Sequence, residues 1–144
     1  MTEGVAVCEP RRWPQRIDPA RVLVAEDDPE MLDLLACILE REGYEVVRTQ
    51  DGVGLLTLIE SATWWQPPRR YDAIVSDVEL PALNALDVLA GLRPARGSTP
   101  VVLVTAFGDS DTRAKARRLG VRAVLDKPLD VDRFRAVVRE AMGQ

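Results

Sequence analysis

An α/β fold, with a five-stranded parallel sheet and helices on both faces, follows from three features of the sequence. Five short runs rich in Val and Ile alternate with segments of helical periodicity. The runs are nearly continuous in apolar residues, which suits strands buried on both faces. Each run but the last is followed by a helical pattern before the next begins, the arrangement that right-handed crossovers impose on parallel strands.

The strands are expected at Arg21–Ala25, Tyr44–Arg48, Tyr71–Ser76, Val101–Val104 and Val121–Leu125. The first helix carries the strongest boundary signals: Asp28 as N-cap, Pro29 at the first helical position, Met31, Leu34, Leu35 and Ile38 on one face, and Gly43 just past the end. The second is expected over Gly52–Ala62 with Val53, Leu55, Leu56 and Ile59 inward, the third over Asn84–Arg93 and the fourth over Ser110–Leu119. The last spans Val131–Met142, where Val131, Phe134, Val138 and Met142 recur at helical spacing. Residues 1–20, with Pro10, Pro14, Pro19 and a lone Trp13, form an extended arm, and residues 21–144 the folded domain. Thr63 to Arg70 is too long for an ordinary connection and cannot be helical through Pro67-Pro68. Its two indoles, Trp64 and Trp65, are expected to cover the bottom of the sheet, the alternative being a partner-docking loop.

Composition narrows the chemistry. With 144 residues, 47% of them apolar, the chain suits one domain rather than two. Its longest uncharged stretch, Gly97 to Gly108, is far shorter than the ~20 residues of a membrane-spanning helix, so no membrane insertion is expected. The N-terminus lacks the apolar core of a secretory signal, which leaves a cytoplasmic location as the expectation. There is no His, which removes Ser-His-Asp and Cys-His hydrolases and His-ligated metals, and Cys8 and Cys37 have no metal-binding spacing. Carboxylates, Lys, Thr and Ser remain.

These residue types gather where the fold brings them together. In a parallel sheet the carboxyl ends of the strands share one edge, and ligands bind there where the strand order reverses. Strand one ends in Glu26-Asp27-Asp28, strand three in Ser76-Asp77, strand four in Thr105-Ala106 and strand five in Asp126-Lys127-Pro128. Helix capping accounts for Asp28 but not equally well for Glu26 and Asp27. Three carboxylates, Glu26, Asp27 and Asp77, would repel one another unless a cation joined them, and Mg²⁺ suits a site that offers carboxylates and leaves room for water and phosphate oxygens. A metal, a carboxylate nucleophile, a lysine and a hydroxyl make a phosphoryl-transfer site.

The segments Val22-Leu23-Val24-Ala25-Glu26-Asp27-Asp28-Pro29, Ile74-Val75-Ser76-Asp77-Val78-Glu79-Leu80-Pro81, Val104-Thr105-Ala106 and Asp126-Lys127-Pro128 resemble the receiver domain of two-component response regulators, over about Arg21 to Met142. The resemblance implies a flavodoxin-like, doubly wound sheet of strand order 2-1-3-4-5. It implies Asp77 as phosphoacceptor, Asp27 as a direct Mg²⁺ ligand, Glu26 as a ligand through water and the backbone carbonyl of Glu79 as another. Lys127 would contact the phosphoryl group, Thr105 would turn inward to bond it, and the Lys127-Pro128 bond would be cis. The partner implied is a sensor histidine kinase or histidine phosphotransfer protein. The chain would act as a signalling module rather than an enzyme, with only slow autodephosphorylation.

Three departures from the family pattern carry expectations of their own. Ala85 stands where the family usually has Gly, so backbone strain is expected there. Val124 stands where an aromatic switch residue is usual, so no ring relays the signal. Phe107 is expected to shield a phosphoryl group from water and Glu79 to repel the developing charge, giving a long-lived phosphorylated state. With nothing after the fifth helix, the chain is expected to be a stand-alone receiver.

Residues 109–144 carry nine basic and six acidic side chains in a chain of net charge −4. This basic end is expected to be a solvated helix face, the alternative being an acidic partner or self-association through the last two helices. Direct nucleic-acid binding is not expected of an acidic chain without a recognition motif. Two competing functions are a pseudo-receiver that binds a partner without being phosphorylated and a Mg²⁺-dependent phosphatase with an Asp nucleophile. The intact site residues argue against the first, and the absence of a D-x-D pattern after strand one against the second.

Overall fold

The computed structural model describes residues 19–66, 68–92 and 97–144. The N-terminal arm through Asp18, with Trp13, and the proposed helical end at Arg93 lie outside the described residues. Five strands, β1 (Arg21–Ala25), β2 (Glu45–Thr49), β3 (Ala73–Asp77), β4 (Val101–Thr105) and β5 (Ala123–Asp126), alternate with five helices, α1 (Pro29–Arg41), α2 (Gly52–Ser61), α3 (Ala85–Gly91), α4 (Ser110–Arg118) and α5 (Val131–Ala141). The strands form one parallel sheet in the order β2-β1-β3-β4-β5. This is the order 2-1-3-4-5.

Alternate residues of each strand feed two cores. Leu23, Ile74 and Leu103 point to the face covered by α2, α3 and α4, where they meet Leu55, Ile59 and Leu89. Val22, Val24, Val75, Val102 and Val104 point to the opposite face and pack on Leu32, Leu35 and Leu39 of α1 and on Phe134 and Val138 of α5. Both faces are therefore dry, which is why the strands read as apolar runs rather than alternating ones.

Several boundaries and faces differ from the sequence expectation. Strand β2 begins at Glu45, not Tyr44, and β5 at Ala123, not Val121. Strand β3 starts at Ala73, because Tyr71 and Asp72 precede it, and runs one residue further to include Asp77. On α1 the buried stripe is Leu32, Leu35, Ala36, Ile38 and Leu39, so Leu34 faces solvent. Val53 and Val131, each in the first turn of its helix, are exposed as well. The indoles do not cover the sheet: after a 3₁₀ turn at Ala62–Trp64, Trp64 and Trp65 are 70% and 57% exposed, and Arg69 stacks its guanidinium 5.3 Å from the Trp65 ring.

The expected strain is also elsewhere. Ala85 is the buried first residue of α3, where its N–H donates to the Val78 carbonyl at 3.0 Å. Among the described residues other than glycine, the one with positive φ is Ala82, at 73°. This left-handed turn aims the Pro81 carbonyl at the Gly52 N–H, 3.1 Å away, and seats Leu83 so closely against the start of α2 that a Cβ on Gly52 would collide with the Leu83 carbonyl. The β3–α3 loop that follows Asp77 is thus held by α2. Helix α4 is held least, with Ala116 as its one buried residue.

Replacing Ala82 by Gly should raise unfolding stability by about 0.5–1 kcal/mol, the relief of a left-handed alanine less the added freedom of the unfolded chain. Gly52→Ala should cost roughly 1–3 kcal/mol through overpacking against backbone. Urea denaturation of the two variants checks both signs.

Candidate functional site

The strand ends place the polar residues. Register pairs Ala25 with Ser76 across β1 and β3, Asp77 with Val104 across β3 and β4, and Thr105 with Asp126 across β4 and β5. Glu26, one residue past β1, therefore lies beside Asp77, and Lys127, one residue past β5, beside Thr105. The Lys127 N–H donates to the Thr105 carbonyl at 2.9 Å, and the Lys127-Pro128 peptide is cis.

Lys127 crosses the edge of the sheet to join the acidic residues. Its Nζ donates to Glu26 Oε1 and to Asp77 Oδ2, each at 2.9 Å. Glu26 is 1% exposed and Asp77 6%. The second oxygen of each carboxylate is also engaged: Glu26 Oε2 accepts the Asp28 N–H at 3.1 Å, and Asp77 Oδ1 accepts the Glu79 N–H at 3.0 Å. Asp27 is exposed, and carboxylate oxygens of Glu26, Asp27 and Asp77 lie within 4.8 Å of one another.

Burial pushes the Glu26 carboxyl above its ordinary 4.5, and the nearby charge of Asp77 pushes the same way, against the bonds from Lys127 and the Asp28 N–H. Desolvation is also the largest single influence on Lys127 and opposes its charge. Its hydrogen bonds and attraction to Asp77 and Glu26 together outweigh that effect and raise its pKa above 10.5. Lys127 stays charged at neutral pH, yet three carboxylates face one ammonium. An all-oxygen donor set with surplus negative charge fits a hard divalent cation.

Thr105 is fully buried, and its Oγ1 accepts the Phe107 N–H at 3.0 Å. The hydroxyl is thus tied to the β4–α4 loop in this structure. Phe107 is 72% exposed and the Glu79 side chain is exposed too. The Glu79 carbonyl follows Asp77 by two residues in the loop shaped by Ala82.

One group had no signal in the sequence. Arg113, on α4, donates from Nη2 to Asp126 Oδ1 at 2.7 Å and from Nε to the Gly108 carbonyl at 3.0 Å. Only the register that sets Asp126 beside Thr105 makes this contact available, and register cannot be read from spacing.

A family profile describing the response regulator receiver domain matches residues 22–139. The chain belongs to the response regulator receiver family. It is 35% identical over 130 residues to the transcriptional regulatory protein TcrA of Mycobacterium tuberculosis, covering 90% of this chain and 49% of that protein. It is 30% identical over 127 residues to the polar-differentiation response regulator DivK of Brucella anthropi, covering 87% of this chain and 98% of that protein. The chain thus spans about half the length of TcrA but nearly all of DivK. A CheY-like receiver domain protein of Methanospirillum hungatei has the same fold, with a TM-score of 0.79 at 23% identity over 88% of this chain and 95% of that one. The chain is a receiver domain of the two-component type, and no helix among the described residues is long and apolar enough to cross a membrane.

Lys127→Met should destabilise the metal-free protein by roughly 2–4 kcal/mol at pH 7, somewhat below the usual cost of breaking a buried pair because Lys127 is partly exposed. The sign with pH follows from Glu26. Its folded pKa lies above 4.5, so folding is favoured most below 4.5 and loses stability as pH rises through the folded value. The Lys127→Met deficit should therefore shrink toward pH 4, and Glu26→Gln added to it should restore much of the loss at pH 7. Urea denaturation in chelator at both pH values measures this.

Proposed function

We propose that this receiver takes a phosphoryl group from a histidine of a partner protein onto Asp77. The observation that carries the reading is the position of Asp77: a buried carboxylate at a strand end, bonded by the Lys127 ammonium and grouped with two more carboxylates. No His is present in the sequence, so the donor is external. A sensor histidine kinase or a histidine phosphotransfer protein is the partner class that supplies phosphohistidine.

In the transfer a carboxylate oxygen of Asp77 attacks the phosphorus of the phosphohistidine. The O–P bond of an acyl phosphate forms, the P–N bond breaks, and the imidazole leaves with its electron pair and takes up a proton. Lys127 is already at Asp77 and offsets negative charge on the transferring oxygens. Asp27, Asp77, the Glu79 carbonyl and, through water, Glu26 would hold Mg²⁺, which when bound shields the phosphoryl oxygens from the carboxylates. Thr105, buried at the end of the neighbouring strand, has a hydroxyl hydrogen to donate once a phosphoryl oxygen is present. Covalent turnover of a small-molecule substrate is not part of this reading: the product is the modified protein.

Incubation with Mg²⁺ and a small acyl phosphate should add one phosphoryl group by intact mass, and Asp77→Asn should add none. Asp27→Ala should abolish measurable Mg²⁺ binding by titration. Equal labelling of Asp77→Asn would overturn the assignment.

A further inference from the structure

The β4–α4 loop is fastened at three points that share one side chain. The Arg113 guanidinium, rooted in the first half of α4, binds the Gly108 carbonyl through Nε at 3.0 Å and Asp126 Oδ1 through Nη2 at 2.7 Å, and its Nη1 reaches the Val124 carbonyl at 3.4 Å. A planar fork holds separate N–H donors in a fixed geometry over three such acceptors, which the compact ammonium of a lysine does not reproduce. Gly108 packs tightly beneath it: a Cβ there would lie 2.7 Å from Asp126 Oδ1, 3.0 Å from Arg113 Nη2 and 3.3 Å from Thr105 Cγ2.

This clamp sits between the two strand ends that carry Thr105 and Lys127. Gly108 lies three residues after Thr105, and Asp126 immediately before Lys127. The Thr105 hydroxyl is linked to the same loop through the Phe107 N–H. A phosphoryl group on Asp77 would bring acceptor oxygens beside the end of β4, and a hydroxyl that turns to donate to them pulls on Phe107 and hence on Gly108. The guanidinium is held at its other end by Asp126 on β5, so it cannot follow Gly108 without giving up one partner or moving α4. Helix α4 buries only Ala116 and resists little. Val124, on the adjoining strand, offers a backbone carbonyl to the fork and has no ring to take part.

We infer that Arg113 is a positioning residue that latches the β4–α4 loop to β5 in the resting receiver, and that phosphorylation of Asp77 exchanges its bonds and so moves α4. The inference rests on the phosphoacceptor reading above. It assigns the regulation of that site to a guanidinium fork on α4, a residue that touches neither the phosphoryl group nor the carboxylate cluster.

A latch that favours the resting form lowers affinity for anything that binds the other form, so removing it raises that affinity. The test is titration of the full chain with beryllofluoride and Mg²⁺, followed by hydrogen exchange of residues 106–118 with and without the mimic. Wild type, Arg113→Met, Asp126→Asn and the double variant are compared, with urea denaturation alongside. Each single variant should bind beryllofluoride about 5-fold more tightly, the low end of ordinary coupling between sites, and the double variant no more tightly than either. Exchange in 106–118 should be faster in the variants at rest, with a smaller change on adding the mimic than in wild type. Arg113→Lys should not restore wild-type behaviour. Affinity within twofold of wild type in both single variants, even with reduced stability, would make Arg113 merely structural and overturn the inference. Failure of wild type itself to bind beryllofluoride would instead overturn the phosphoacceptor reading, and this inference with it.

Discussion

The ammonium of Lys127, shared at 2.9 Å between Glu26 and Asp77, is the interaction on which the site depends. Carboxylates that are nearly or fully out of water repel one another, and each carries a desolvation cost. One cation between them makes the cluster tolerable but does not neutralise it. The residual negative charge is of the kind a hard divalent cation would offset. Lys127 can reach across because the parallel sheet brings the carboxyl ends of β1, β3 and β5 to one edge.

Much of this was legible in the sequence. The order of acidic, hydroxyl and basic residues at successive apolar runs pointed to a single edge, because parallel strands leave no other place for their ends to meet. Glu26, Asp77, Thr105 and Lys127 meet at that edge even where strand starts are displaced by one or two residues. Helix faces were less legible at their ends. Val53 and Val131, in the first turns of α2 and α5, and Leu34, on the open side of the buried stripe of α1, fit a helical stripe by spacing, but periodicity does not say which of its edges is covered.

Contacts between elements were the least legible of all. Ala82 adopts the left-handed conformation because its neighbours Pro81 and Leu83 are held against Gly52, so the cause of the strain lies some thirty residues away in the chain. Ala85, the residue whose departure from the family pattern drew attention, is instead an ordinary helix start with room for its methyl group in the core. Trp64 and Trp65 face solvent, where Arg69 stacks on the Trp65 ring, while Tyr71 from the same connection is buried in the core.

Among several clustered carboxylates, Asp77 is the one proposed to carry the phosphoryl group. Burial separates it from Asp27, and its position at the end of β3, slightly more open at 6% exposure against 1%, separates it from the more deeply enclosed Glu26. The most direct measurement is chemical. A purified phosphohistidine donor transfers its phosphoryl group to this chain, and borohydride then reduces the acyl phosphate to an alcohol, whose position is read by peptide sequencing. Homoserine is expected at position 77 and nowhere else. Reduction at Glu26 or Asp27 instead, or a label that resists borohydride, would contradict it.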